Sequence, residues 1–190
     1  MTLSNNIDGA VTDIAGPQTF EVVELGLNTF AADDFAEAMT FQQKIARLER
    51  AVRGALEWAD EASNRLDHTH KALYDTPNAD AALLAESQRL QTELDDILVQ
   101  LRGDRTKSRR NVFTPPSISS RVNRIVDSQW DTTSAPTQTE RDGYRWAAEA
   151  FAVELGRLKS LAADLDALEN QLEAAGAPWT PGRLPEWQQE

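Results

Sequence analysis

The sequence predicts a mainly α protein: a long antiparallel helical bundle of three arms, the middle arm broken, preceded by a short β-hairpin or strand remnant. Three observations lead there. The hydrophobic period changes from 2 to about 3.5 near residue 33. Apolar residues then keep an unbroken 3-4 alternation through several long runs, which holds one seam toward a partner. The run lengths also match: at 1.5 Å per residue the first helix spans roughly 60 Å, the last roughly 57 Å, and the two between them about 57 Å together. A four-helix up-and-down arrangement uses the same lengths and stays open.

Residues 1–30 form the first segment. Thr2–Ile7, Ala10–Ala15 and Gln18–Leu25 are short strand-like runs separated by the turn pairs Asp8-Gly9 and Gly16-Pro17. In the third run Phe20 and Val22 fall on one face, Val23 and Leu25 on the other. A strand apolar on both faces belongs inside a sandwich, which two or three short strands cannot build. The segment therefore reads as the remnant of a preceding β-sandwich domain, with a small hairpin capping the helices as the alternative.

Residues 31–176 form the bundle. Asp33 or Asp34 can cap the first helix, with Glu37 in the first turn where the helix dipole favours an acid. Its seam is Ile45, Leu48, Val52, Ala55, Ala59, Ala62, Leu66, Thr69 and Leu73, and Pro77 ends it by disfavouring helical geometry at Thr76. The second helix, about Ala79 to Arg102, carries Leu83, Ser87, Leu90, Leu94, Ile97 and Leu101, and Gly103 stops it as a left-handed residue. Residues 103–116 are expected to be a polar loop. Ser117 caps a short helix with Ile118, Val122, Ile125 and Val126, ending near Trp130. Thr137 or Thr139 opens the last helix, with the seam Tyr144, Ala148, Phe151, Leu155, Leu158, Ala162, Leu165, Leu168 and Leu172, stopped by Gly176 and Pro178. Residues 177–190 are a tail too rich in proline and tryptophan for either period.

Composition narrows the function classes. The 190 residues are 41% hydrophobic and 26% charged, with 19 basic against 31 acidic residues and a net charge of −12. Such a surface repels phosphate backbones and anionic lipid, so neither nucleic acid nor membrane is an expected partner. The absence of cysteine removes disulfides, thiolate metal sites and cysteine nucleophiles together. No apolar run approaches a membrane span and no signal-peptide pattern opens the chain, although localisation itself is not legible.

Chemistry-bearing clusters are sparse. His68 and His70, two apart on a helix, point about 200° apart and cannot share a metal there; they read as solvated. Asp33-Asp34, Asp95-Asp96 and Glu186 fall on polar surfaces rather than across a cleft, as acid/base catalysis requires. Arg102-Gly103-Asp104 spells an adhesion tripeptide, but Gly103 is already explained as a helix stop. The one local charge anomaly is Arg102, Arg105, Lys107, Arg109 and Arg110, five bases beside one acid. It reads as a clamp onto acidic helix flanks or onto acids of a neighbouring domain, with a solvated loop as the alternative. Trp58 and Trp146 sit on helix flanks. Trp130, Trp179 and Trp187 mark helix ends and tail, where packing anchors are expected ahead of sugar-stacking platforms. Catalytic, cofactor and metal residues are expected to be none.

Several strings together resemble a known family. They are Gly16-Pro-Gln-Thr-Phe-Glu-Val-Val23 with Phe41-Gln-Gln-Lys-Ile-Ala-Arg-Leu48, Gly103-Asp-Arg-Thr106 with Thr114-Pro-Pro-Ser-Ile118, Gln129-Trp-Asp-Thr-Thr-Ser-Ala-Pro-Thr137, and Ala174-Ala-Gly-Ala-Pro-Trp-Thr-Pro-Gly-Arg183. Over about residues 7 to 187 the chain resembles the C-terminal region of bacterial BNR-repeat, sortilin-like proteins, often labelled glycosyl hydrolases. The resemblance implies a helical appendage after a β-propeller and a small β-sandwich, in full-length proteins that are exported. The propeller's Asp-box, Ser-x-Asp-x-Gly-x-Thr-Trp, does not occur, so no hydrolase residue carries over. The expected function is a non-catalytic structural or interaction module whose partner is its own N-terminal propeller and β-sandwich region or another protein. Its rivals are a fragment contributing to a propeller-based hydrolase and a free-standing coiled-coil module that forms homo-oligomers.

Overall fold

A computed structural model describes residues 3–23, 26, 33, 35–77, 79–130, 132–184 and 187. Its elements are β1 (Leu3–Ile7), β2 (Ala10–Ala15), α1 (Phe35–Asp75), α2 (Ala81–Arg102), α3 (Arg105–Arg109), α4 (Ile118–Gln129) and α5 (Gln138–Ala174). The chain is mainly helical, with one short antiparallel hairpin ahead of the helices.

Local chemistry sets each boundary. All nine seam positions expected in α1 are buried. The residues before it, Asp34 included, lie outside the described set apart from Asp33. Asp80 takes an extended conformation and its side chain accepts the Ala82 N–H at 2.9 Å, so α2 starts two residues later than Ala79. At its far end Gly103 has φ 90° and ψ 164°, a positive φ that glycine adopts without a Cβ clash. Ser117 caps α4 by accepting the Ser120 N–H. Thr137 opens α5 with a reciprocal box: Thr137 Oγ1 accepts the Glu140 N–H at 3.3 Å, and Glu140 Oε2 accepts the Thr137 N–H at 2.6 Å.

Long-range polar contacts fix the directions. Arg141 donates to Glu37 at 2.9 Å and Arg65 donates to Glu169 at 2.9 Å, each pair 104 residues apart, so α1 and α5 run parallel in constant register. Arg89 pairs with Asp164 at 2.7 Å and Glu93 with Arg157 at 3.6 Å, so α2 runs antiparallel to α5 and hence to α1, to which Arg102 is tied through Asp60 at 2.6 Å. Gln42 donates to the Gln129 carbonyl at 3.3 Å at the end of α4, while Ser119 near its start lies beside Val52 and Leu56, so α4 is antiparallel to α1 as well. Both α2 and α4 pack on α1 and on α5. A Cβ placed on Gly103 would sit 3.7 Å from Ser117 Cβ, so α4 resumes where α2 stops. The result is three arms with the middle one broken. Leu66, Leu90, Leu94, Ile97, Leu101, Val122, Leu161, Leu165, Leu168 and Leu172 are fully buried between them. Each such side chain contributes roughly 1.5–3 kcal/mol relative to exposure.

Four expectations change. Gln18–Val23 form no strand, and Glu24 and Leu25 lie outside the described residues. The hairpin does not cap the bundle: among the described residues β1 and β2 contact only each other. The loop over 103–116 contains α3, because Asp104 accepts the N–H groups of Thr106 and Lys107 and nucleates one helical turn. In α5 the buried line passes through Ala147, Glu154 and Leu161, leaving the expected seam residues Tyr144, Ala148, Leu155 and Ala162 half-buried. That shift follows from α5 packing on two arms at once, which widens its apolar stripe.

Candidate interaction sites

The hairpin turns at Asp8-Gly9, where φ values of 52° and 83° suit a two-residue turn with both central residues left-handed. Pairing places Leu3 and Ile7 on one face, opposite Ala15 and Ala10, while Val11 opposite Asn6 is on the other. Leu3, Ile7, Val11 and Ile14 are all 60–67% exposed. Neither outer edge is paired among the described residues.

The basic segment divides. Arg102 reaches across the bundle to Asp60. Asp104 Oδ1 accepts the Thr106 and Lys107 N–H groups at 2.9 and 3.0 Å, with Lys107 Nζ 3.4 Å from Oδ2. The Lys107 N–H foremost, then its ammonium and the Thr106 N–H, hold the Asp104 carboxyl below the usual carboxylate range despite some desolvation. The adhesion tripeptide is therefore occupied by structural contacts. Arg105, Arg109 and Arg110 are exposed and form no side-chain hydrogen bond or ion pair among the described residues. The clamp onto acidic helix flanks thus reduces to Arg102, because α3 buries nothing and stands off the bundle. A cleft of about 320 Å³ opens between the end of α2, α3 and the start of α4.

The tryptophans scatter. Trp130 is 84% exposed at the end of α4, so it anchors nothing there. Trp179 is exposed but donates Nε1–H to the Arg183 carbonyl at 2.8 Å. Trp187 is exposed, with its immediate neighbours outside the described residues. Trp130 lies level with Gln42 of α1 and Trp179 follows the α5 end level with Arg65, roughly 35 Å along the axis. They cannot share one sugar cleft. Trp58 is half-buried, and the Arg121 guanidinium lies 5.6 Å over Trp146, so the flank placement of both holds.

Asp33, Asp95 and Asp96 are exposed, while Asp34 and Glu186 lie outside the described residues. His68 is exposed as expected; His70 is not, because its Nε2 is buried without a partner. Among the described residues no cluster of three His, Cys, Asp or Glu could hold a metal, and no helix is long and apolar enough to cross a membrane.

The most elaborate polar cluster escaped the sequence reading. Arg65 forks onto Glu169 at 2.9 and 2.7 Å and reaches Asp166 at 2.7 Å, with Glu169 almost fully buried. The bond to Glu169 is the main reason the Arg65 guanidinium holds its proton beyond its ordinary range, outweighing the opposing effect of burial. The tail folds over this cluster. Gly182, at φ 92°, lies where a Cβ would come within 3.2 Å of Arg65 Nε. Arg183 donates to the Glu169 carbonyl at 2.9 Å and pairs with Glu173 at 2.9 Å. A bridging signal did exist: Arg65 stands beside the α1 seam residue Leu66, and Glu169 beside the α5 seam residue Leu168.

Protein-family models, curated proteins and solved structures contain no match to this chain.

Proposed function

We propose that the chain is a non-catalytic helical module with a structural or interaction role, an appendage of a larger protein in which the hairpin belongs to a preceding β-domain. The observation that carries the reading is the hairpin itself. It exposes Leu3, Ile7, Val11 and Ile14 over both faces and touches no helix among the described residues. A two-stranded ribbon of this kind buries its apolar faces only by joining further strands. Behind it the bundle forms a stiff rod roughly 60 Å long, set by the length of α1. In this reading the rod holds the hairpin's neighbour at one end and presents α3 along its side.

The resemblance to BNR-repeat, sortilin-like proteins names the neighbour as a β-propeller followed by a small β-sandwich. The test is the coding DNA upstream of Met1. A reading frame continuous with this chain and encoding Asp-box repeats is the expected result. A separate ribosome-binding site preceded by an unrelated gene overturns the propeller assignment.

A further inference from the structure

On a helix, residues three and four apart lie side by side. Arg105, Ser108 and Arg109 of α3 therefore share a face, and all three line the 320 Å³ cleft, whereas Lys107 and Arg110 do not. The opposite wall repeats the relation: Ser117 and Ser120 lie three apart at the start of α4 and line the same cleft. Gly103 closes the space between the walls, set against Ser117.

Four donor side chains there are unspent. Arg105 and Arg109 present five N–H donors each and meet no acceptor among the described residues. The Ser108 and Thr114 hydroxyls, which also line the cleft, have no partner among the described residues, whereas the Ser120 hydroxyl donates to the Ser117 carbonyl at 2.9 Å and Ser117 Oγ accepts the Ser120 N–H at 3.3 Å. The cleft's one carboxylate, Asp104, is engaged by two backbone N–H groups and the Lys107 ammonium. Arg102, at the rim, is held by Asp60. Between Arg102 and Arg124 the chain carries seven bases and one acid, against a net charge of −12 overall.

We infer that the cleft between α3 and α4 is a binding site for a phosphate-class oxyanion, taken either as free phosphate or as the phosphoryl group of a larger molecule. The two guanidiniums and the Ser108 hydroxyl of α3 line the cleft together with the Thr114 hydroxyl of the segment leading into α4. A tetrahedral anion has oxygens for both walls, while a planar carboxylate is satisfied by a single guanidinium fork. The inference stands on this cleft alone and is independent of the appendage reading.

The probes are inorganic phosphate, phenyl phosphate and acetate, titrated calorimetrically into the full chain at constant ionic strength. Saturable binding of at least one phosphate probe is expected at low millimolar concentration or below, with acetate at least tenfold weaker. Phenyl phosphate binding tighter than inorganic phosphate identifies a carried phosphoryl group; the reverse identifies the free ion. Arg105→Gln with Arg109→Gln is expected to weaken binding at least tenfold. Arg110→Gln with Arg124→Gln removes the same charge from exposed positions outside the cleft, and is expected to stay within about twofold. Because all the substituted arginines are exposed, both variants keep the helical circular dichroism of the parent. No saturation by about 20 mM, acetate binding equal to phosphate, or equal losses in the two double variants each overturns the site.

Discussion

Leu165 in α5 is fully buried, while Leu3 in β1 is 60% exposed. The two residues are chemically identical; the difference lies in the spacing of their neighbours. In α5 apolar residues recur every three or four positions, and two parallel-sided arms stand ready to cover the stripe. In the hairpin successive side chains alternate between two faces, and no third strand or second sheet exists among the described residues to cover either face. Apolar character supplies a driving force, but burial depends on whether the same chain provides a surface of matching period.

Substituting the two leucines tests that contrast most severely. Leu165→Ala is expected to cost about 2.7–5 kcal/mol by opening a cavity that the packed arms cannot close. For a chain of this length that lowers the melting temperature by roughly 6–15 °C. Leu3→Ala is expected to stay within about 0.5 kcal/mol. Equal losses in thermal melts would mean that the hairpin shares the bundle's core.

A smaller effect is expected where the bundle secures its own ends. Burial pushes the Glu140 carboxyl up, but hydrogen bonds from Ser128, Gln129 and the Thr137 N–H and hydroxyl outweigh it and leave it lowered. These contacts tie the end of α4 to the start of α5. Glu140→Gln is expected to cost about 1–2 kcal/mol at neutral pH. A lowered folded value places the wild-type contribution above the ordinary 4.5 and removes it as pH falls through that folded value. The gap between wild type and variant should therefore narrow in melts stepped from neutral to acidic buffer. A gap that is constant with pH would assign the loss to shape rather than charge.

The smallest effect on stability is expected from removing residues 1–25. Helical circular dichroism and melting temperature should be nearly unchanged, while self-association in light scattering should fall, because unpaired strand edges recruit one another. Unfolding of the bundle on deletion would make the hairpin an integral cap.

Legibility followed periodicity. Every seam residue expected in α1 is buried, as are five of the six in α2, with Leu83 half-buried. Caps were readable from a short polar side chain at the expected helix start, at Ser117 and, as one of two candidates, at Thr137. The helix α3 was not, because Arg-Thr-Lys-Ser-Arg has no apolar residue to show a period; its one signal was Asp104 in capping position. Buried Glu169 and Glu154 were missed because a carboxylate is read as surface unless its cation is known. Those cations, Arg65 and Arg157, are identified only by the arms' alignment or by local rotamers. The tail's return over Arg65 depends on the same long-range alignment.

The 28 residues from Glu37 to Arg65 along α1 equal the 28 from Arg141 to Glu169 along α5, which makes the bundle a length-matched gauge. Adding residues within either straight arm would slide every downstream rung past its mate and turn the seam about 100° per residue. Residues 104–116 stand outside that count, because the chain leaves at Gly103 and returns to Ser117 beside it. Lengthening or shortening this excursion changes no rung and costs only slowly growing loop entropy. The break in the middle arm is therefore the position where the chain can vary in length, and so in what it carries, while the rod keeps its measure.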